Sequence, residues 1–172
     1  MQIEELIKDK SKKPKEKTEL ISTWLVSRAL PLDELLAFAS GQKDPAKASC
    51  IEAIEYATRQ DVSLADRDVL DFVSQALTEK APRIKWESAK VVGNIARLFP
   101  EHLAAATANL LKNTQHDGTV VRWSAAFALG EILKLKTAGH RELLSEIQAI
   151  CTREEKNSIR KIYLDAIKRS EK

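Results

Sequence analysis

Residues Lys85–Ile95 read KWESAKVVGNI, and Arg122–Ile132, 37 residues later, read RWSAAFALGEI. A leading cation is followed in both by the same Trp, Ala, Gly and Ile, four identities in eleven positions. Weaker echoes start at Lys47 (KASCIEAIEYA) and Arg160 (RKIYLDAIKRS), so successive copies begin 38, 37 and 38 residues apart. A beat of this length belongs to helical hairpins stacked in a solenoid, because one amphipathic pair cannot bury its apolar stripe without neighbours.

The rest of the chain agrees. Five Gly and five Pro in 172 residues, among much Ala, Leu, Glu and Lys, favour helix almost throughout. With 44% apolar and 31% charged residues the composition is that of a folded domain, and a net charge of +3 does not by itself point to nucleic acid. No apolar run approaches the roughly 18 residues of a membrane span. The opening MQIEELIKDK is too acidic for a secretory signal, so the expected location is cytoplasmic. Cys50 and Cys151 sit three repeats apart, on the order of 25–30 Å at usual helix spacing. A disulfide needs Cα atoms within about 7 Å, so two reduced, packed thiols are expected.

Second amphipathic segments lie between the anchored ones. Residues 64–79 carry Leu70, Val73, Ala76 and Leu77 at helical spacing, with Ser63 and Asp66 resembling a capping box. Residues 101–114 follow Pro100, which suits a first helical position, and residues 139–152 carry Leu143, Leu144, Ile147 and Cys151. Asp44-Pro45 reads as an N-cap and first turn, and HDGT (116–119) and EEKNS (154–158) as hairpin turns. No alternation long enough for a strand occurs. These signals predict helix pairs over residues 44–172, preceded by capping helices in residues 1–43. Within that cap the basic segment 8–17, with SKKPKEK at 11–17, reads as solvated and mobile, and a helix follows over 18–30.

The segment DGTVVRWSAAFALGEI (117–132) resembles the HEAT repeat family, including its short bacterial members. The likeness rests on a turn Asp (Asp117), a Val-Arg pair (Val121, Arg122), two alanines (Ala125, Ala126) and a Leu-Gly step (Leu129, Gly130). The copy ending at Ile95 keeps Ile84, Lys85, Ala89, Val92 and Gly93 but has Lys80 where the turn Asp belongs. The resemblance implies an all-α, right-handed superhelix of about four helix pairs, second helices lining the concave side. It also implies that Arg122 ties to the turn Asp117, with Lys85 as its counterpart, both structural. It implies no chemistry, since such folds are mostly adaptors.

Helical phase then places the Trp residues. At about 100° per residue from Trp123, Val121, Ala125, Ala128, Leu129, Ile132 and Leu135 form the buried stripe, with Phe127, Gly130 and Lys134 near Trp123 on the opposite side. From Trp86 the stripe holds Ser88, Val91, Val92, Ile95 and Leu98, and Lys90, Gly93 and Arg97 lie opposite. Carried across repeats, this predicts a groove with an aromatic strip of Trp86, Trp123, Phe127 and Tyr56, edged by Arg59, Lys90, Arg97 and Lys134. Trp beside Arg is common at binding hot spots and also suits base stacking with phosphate contacts. The competing reading has the indoles wedged against the preceding repeat.

Nothing in the sequence spells out chemistry. His102, His116 and His140 are scattered without metal-ligand spacing, and no Gly-rich phosphate loop occurs. Some alkylpurine DNA glycosylases are HEAT-like and set a catalytic Asp one turn from a concave Trp. Here those places hold Lys90 and Phe127, and Glu87 is expected about 100° off the wall. The expectation is therefore a non-catalytic scaffold, without cofactor or metal, that binds a protein or peptide partner on its concave face. A nucleic-acid binder using the same cations is the principal alternative.

Overall fold

Both quoted stretches become the body of long helices that lie side by side. In the computed structural model, which describes residues 2–172, the chain forms ten α-helices and no strand among those residues. They are α1 Gln2–Lys8, α2 Pro14–Val26, α3 Leu32–Ser40, α4 Ala46–Gln60, α5 Arg67–Ala76, α6 Pro82–Ile95, α7 Ala104–Asn113, α8 Thr119–Lys134, α9 His140–Arg153 and α10 Asn157–Ser170. Among them no helix is long and apolar enough to cross a membrane.

The even-numbered helices stack in one layer, α2 on α4, α4 on α6, α6 on α8 and α8 on α10, and each odd-numbered helix packs on the one after it. Contacts within the even layer are far more extensive than those from α3 to α5 or α5 to α7. A stack drawn tighter on one side bends toward it, so the even helices line the concave face. Small residues allow the close approach. Ala89, Ala96, Ala126 and Ala128 are fully or almost fully buried in this layer, and the Phe127 ring lies directly over Gly93.

The expected stripe of α8 is buried from Val121 to Ile132, with Leu135 only partly so. In α6 the stripe holds as far as Ile95 but not at Leu98, which is 40% exposed. The α-helix ends at Ile95 and a 3-10 turn over Ala96–Leu98 rotates the chain off phase.

Several boundaries differ from the sequence expectations. Helix α7 begins at Ala104, and Pro100 belongs to the turn before it. The expected helix from residue 64 is a 3-10 turn at Val62–Leu64 and then α5. Asp61 caps the first, and Asp66 caps the second by accepting from the Val69 N–H. The segment 11–17 is not a mobile run: α2 starts at Pro14, where the Glu16 carboxylate accepts from the Lys13 N–H and Lys17 donates to the Ile7 carbonyl. The division expected after residue 43 falls between α3 and α4, which pack together. Asp44 is not an N-cap either; Pro45 holds that place and α4 begins at Ala46. Cys50 is buried and Cys151 half-buried, both free thiols.

The leading cation of each copy has a repeated task. Lys47 bonds Glu79 at 3.1 Å, Lys85 bonds Asn113 at 3.3 Å, and Arg122 bonds Glu154 at 3.0 Å. Each partner lies at or just past the end of the next repeat's first helix, so the cation fastens one repeat to the following one. Lys85 also donates to the carbonyl of Leu77 at the end of α5, and Arg122 to those of His116 and Asp117 in the turn before α8. The expected Arg122–Asp117 carboxylate pair is therefore corrected: Asp117 offers its carbonyl, and the carboxylate is that of Glu154. In α10 the equivalent cation, Arg160, turns back to Asn157 of its own helix.

Candidate binding surface on the inner helices

On the concave face the two central Trp residues diverge despite sharing a phase. Trp123 is 41% exposed and its ring stacks on Phe127, with centroids 6.2 Å apart and planes 12° from parallel. Phe127 is itself half-buried, because Gly93 leaves room for its ring on α6. Adding a Cβ at Gly93 would put it 2.2 Å from a ring carbon, so the glycine is the seat of the platform. Trp123 and Phe127 thus form one rigid aromatic shelf, with Val120, 51% exposed, a turn before.

Trp86 is half-buried, and its indole N–H donates to the Glu87 carboxylate at 2.9 Å. Glu87 is turned off the exposed wall, as its phase implies, and lies buried beside Trp86. Its side chain is 4% exposed and its carboxylate meets both Trp86 and Lys90. Burial drives the Glu87 pKa above the usual carboxylate range; Lys90 and the Trp86 bond oppose this, while Glu52 and Glu55 add to it. Glu55 is also buried and Glu52 is half-buried, so three carboxylates gather where α4 meets α6, beside Tyr56. Sequence phase missed this cluster because each Glu lies at the border between the buried stripe and the groove.

The cations expected to edge the groove are mostly neutralised. Arg59 lies 3.5 Å from Glu55, Lys90 3.7 Å from Glu87 and Lys134 2.7 Å from Glu131, all within one helical turn. Arg59 also stacks on Tyr56, 5.1 Å from the ring centroid. Arg83, not singled out by the sequence reading, bonds Glu52 at 3.1 Å. Arg97 is exposed and forms no ion pair among the described residues. The face therefore pairs its charges internally and presents aromatic surface at two places, the α8 shelf and the Tyr56–Trp86 region.

Comparisons with known proteins support the architecture. No protein-family description and no curated protein matches the sequence. Solved helical-repeat structures do match. One engineered protein aligns over 98% of this chain and 78% of its own, at 18% identity and a TM-score of 0.74. A second aligns over 99% of this chain and 47% of its own, at 15% identity and 0.73. A designed armadillo repeat protein in complex with the peptide (KR)4 aligns over 98% of this chain and 80% of its own, at 16% identity and 0.73. At these identities the likeness is one of fold. The chain is a helical-repeat solenoid.

Proposed function

We propose that this protein is a non-catalytic, HEAT-type repeat scaffold that holds an extended peptide or protein segment along its inner helices. The observation that carries the reading is the Trp123–Phe127 shelf: a large indole left 41% exposed, its N–H without a partner among the described residues, on a ring fixed by Gly93. Keeping such a ring in water has no folding advantage, whereas a rigid exposed Trp is a common interface anchor. A solenoid of the same fold holds a peptide, (KR)4, which supports a peptide as the ligand type.

Two features weigh against the other readings. Three of the four expected edge cations, Arg59, Lys90 and Lys134, are tied to carboxylates one turn away, which makes a poor track for a phosphate backbone. Glu87, the acid beside Trp86, is buried and hydrogen-bonded to that indole, which weighs against its serving as the acid of glycosylase-like chemistry.

The test is Trp123→Ala in the full chain. It should weaken partner binding by about 2 kcal/mol or more while leaving thermal stability nearly unchanged. Unchanged binding would remove the shelf from the proposal. Affinity that collapses between roughly 50 and 200 mM salt would favour nucleic acid instead.

A further inference from the structure

Arg59 and Arg97 stand 38 residues apart, one repeat period, and both line a cavity of about 350 Å³ between the C-terminal ends of α4 and α6. Its wall is polar and fixed. Asn94 donates to the Glu55 carbonyl and the Thr58 hydroxyl, and that hydroxyl donates in turn to the Ile54 carbonyl. Asp61 is the one carboxylate on the wall, and its acceptor capacity is taken up. It receives the N–H and the hydroxyl of Ser63 and lies 3.2 Å from Arg28.

The two guanidinium groups keep most of their donors. Arg97 is exposed and has neither an ion pair nor a side-chain hydrogen bond among the described residues. Arg59 is held in place but not used up: one nitrogen lies 3.5 Å from Glu55, the group rests 5.1 Å from the Tyr56 ring centroid, and the side chain is 62% exposed. A guanidinium carries five N–H donors in a planar fork, so an arginine steadied on an aromatic ring still offers several of them in a set direction. The local charges do not balance either. Arg28, Arg59 and Arg97 face only Glu55 and Asp61, which leaves an excess of one positive charge at an open cavity.

We infer that this cavity receives an anionic side chain of the bound segment, a carboxylate or a phosphate monoester, with Arg97 and Arg59 as its donors. Paired guanidinium N–H groups match the oxygens of either anion. The inference rests on the peptide-binding reading above and gives that reading a charge preference. The cavity is a single receptor, because the cations beside it along the inner face, Lys90 and Lys134, are tied to Glu87 and Glu131. Repetition did not produce a second such site: in the next copy the place of Arg97 is taken by Lys134, whose ammonium lies 2.7 Å from a carboxylate.

The experiment measures binding of three octapeptides to the full chain at about 150 mM salt, where long-range attraction between exposed charges is screened. One alternates Glu and Ser, the second replaces every Glu by Gln, and the third is the second with one central phosphoserine. The Glu peptide should bind about tenfold more tightly than the Gln peptide, and that advantage should vanish in Arg97→Gln. Arg97→Lys should restore only part of it, since an ammonium lacks the fork. Lys12→Gln makes the same change in net charge on the exposed N-terminal segment and should leave the advantage intact. An equal loss in Lys12→Gln would mean attraction to the whole chain and would overturn the receptor. A phosphoserine peptide that binds as well as the Glu peptide identifies the guest as a phosphate monoester; one that binds like the Gln peptide identifies it as a carboxylate. Equal affinities for the Glu and Gln peptides, both lost in Trp123→Ala, would overturn the receptor and leave the groove standing. If no peptide binds, the receptor is overturned, and the groove is judged separately by the effect of Trp123→Ala on its partner. Circular dichroism melts of each variant establish that a lost complex is not a lost fold.

Discussion

The copies beginning at Lys85 and Arg122 occupy the same phase of the same helix type, yet they use their Trp residues in different ways. In α6 the next residue is Glu87, whose carboxylate takes the indole N–H, and the residue one turn on is Lys90. In α8 those places hold Ser124 and Phe127; the serine hydroxyl is buried and takes no bond from the indole, and the phenyl ring props Trp123 outward. Periodicity therefore sets the direction in which a side chain leaves its helix, and the neighbours at one and four residues decide whether it is covered. The cations differ in parallel. Arg122 reaches a 4%-exposed carboxylate, whereas Lys85 reaches only an amide and a carbonyl.

That last contrast gives the largest expected effect. Arg122→Ala strands Glu154 among the helix ends without its guanidinium, and should cost about 3 kcal/mol or more in a urea titration. Lys85→Ala removes neutral-acceptor hydrogen bonds and should cost about 1 kcal/mol. Equal costs would mean that the fastening between repeats does not depend on a buried charge pair. The Arg122→Met/Glu154→Leu double variant sharpens the point: it should recover most of the loss if the penalty in the single variant comes from an uncompensated carboxylate.

The indoles come next. Trp86→Ala should lower stability by about 2 kcal/mol, below the 3–5 of a fully buried Trp because the ring is only half covered. Trp123→Ala should change it by less than about 0.5 kcal/mol, as befits a surface position. A reversed order would show that the shelf is part of the core. Gly93→Ala should cost about 1–2 kcal/mol despite the better helix propensity of Ala, because the new methyl displaces the Phe127 ring. It should also shift Trp123 fluorescence, whereas Gly139→Ala, with nothing within 4 Å, should leave the emission untouched.

The repeat period, the helix pairing and the directions of Trp123, Val121 and Leu129 were all legible in the sequence, because each is a matter of spacing on a helix. Helix ends were less so. Pro100 and Ser63 carry good starting signals, but 3-10 turns absorb the residues beside them, and tertiary packing selects the start. The tie from Arg122 to Glu154 was hidden for another reason. It joins different repeats, and a reading confined to one copy favours the nearby Asp117. Glu79 and Glu154 stand 32 residues after Lys47 and Arg122, and that shared offset was the available signal. The buried state of Glu87 had none, since its phase borders both the core and the groove.

The smallest expected effects concern pH, and the two copies should respond in opposite senses. Burial raises the Glu87 pKa above its ordinary value of 4.5, so the folded chain holds that proton more tightly than the unfolded one. Stability from this group is then present in acid and declines as pH rises from about 4.5 through the raised pKa. For Glu154 burial pushes the same way, but the Lys156 N–H and the Arg122 guanidinium outweigh it and hold its pKa below 4.5. Its contribution is present above 4.5 and is lost as pH falls through the lowered folded value. Urea titrations from pH 3 to pH 7 should therefore show Glu87→Gln gaining on the wild type as pH rises, and Glu154→Gln losing ground over the same interval. Parallel slopes for the two variants would mean that Lys90 serves Glu87 as fully as Arg122 serves Glu154, and the electrostatic difference between the copies would have to be given up.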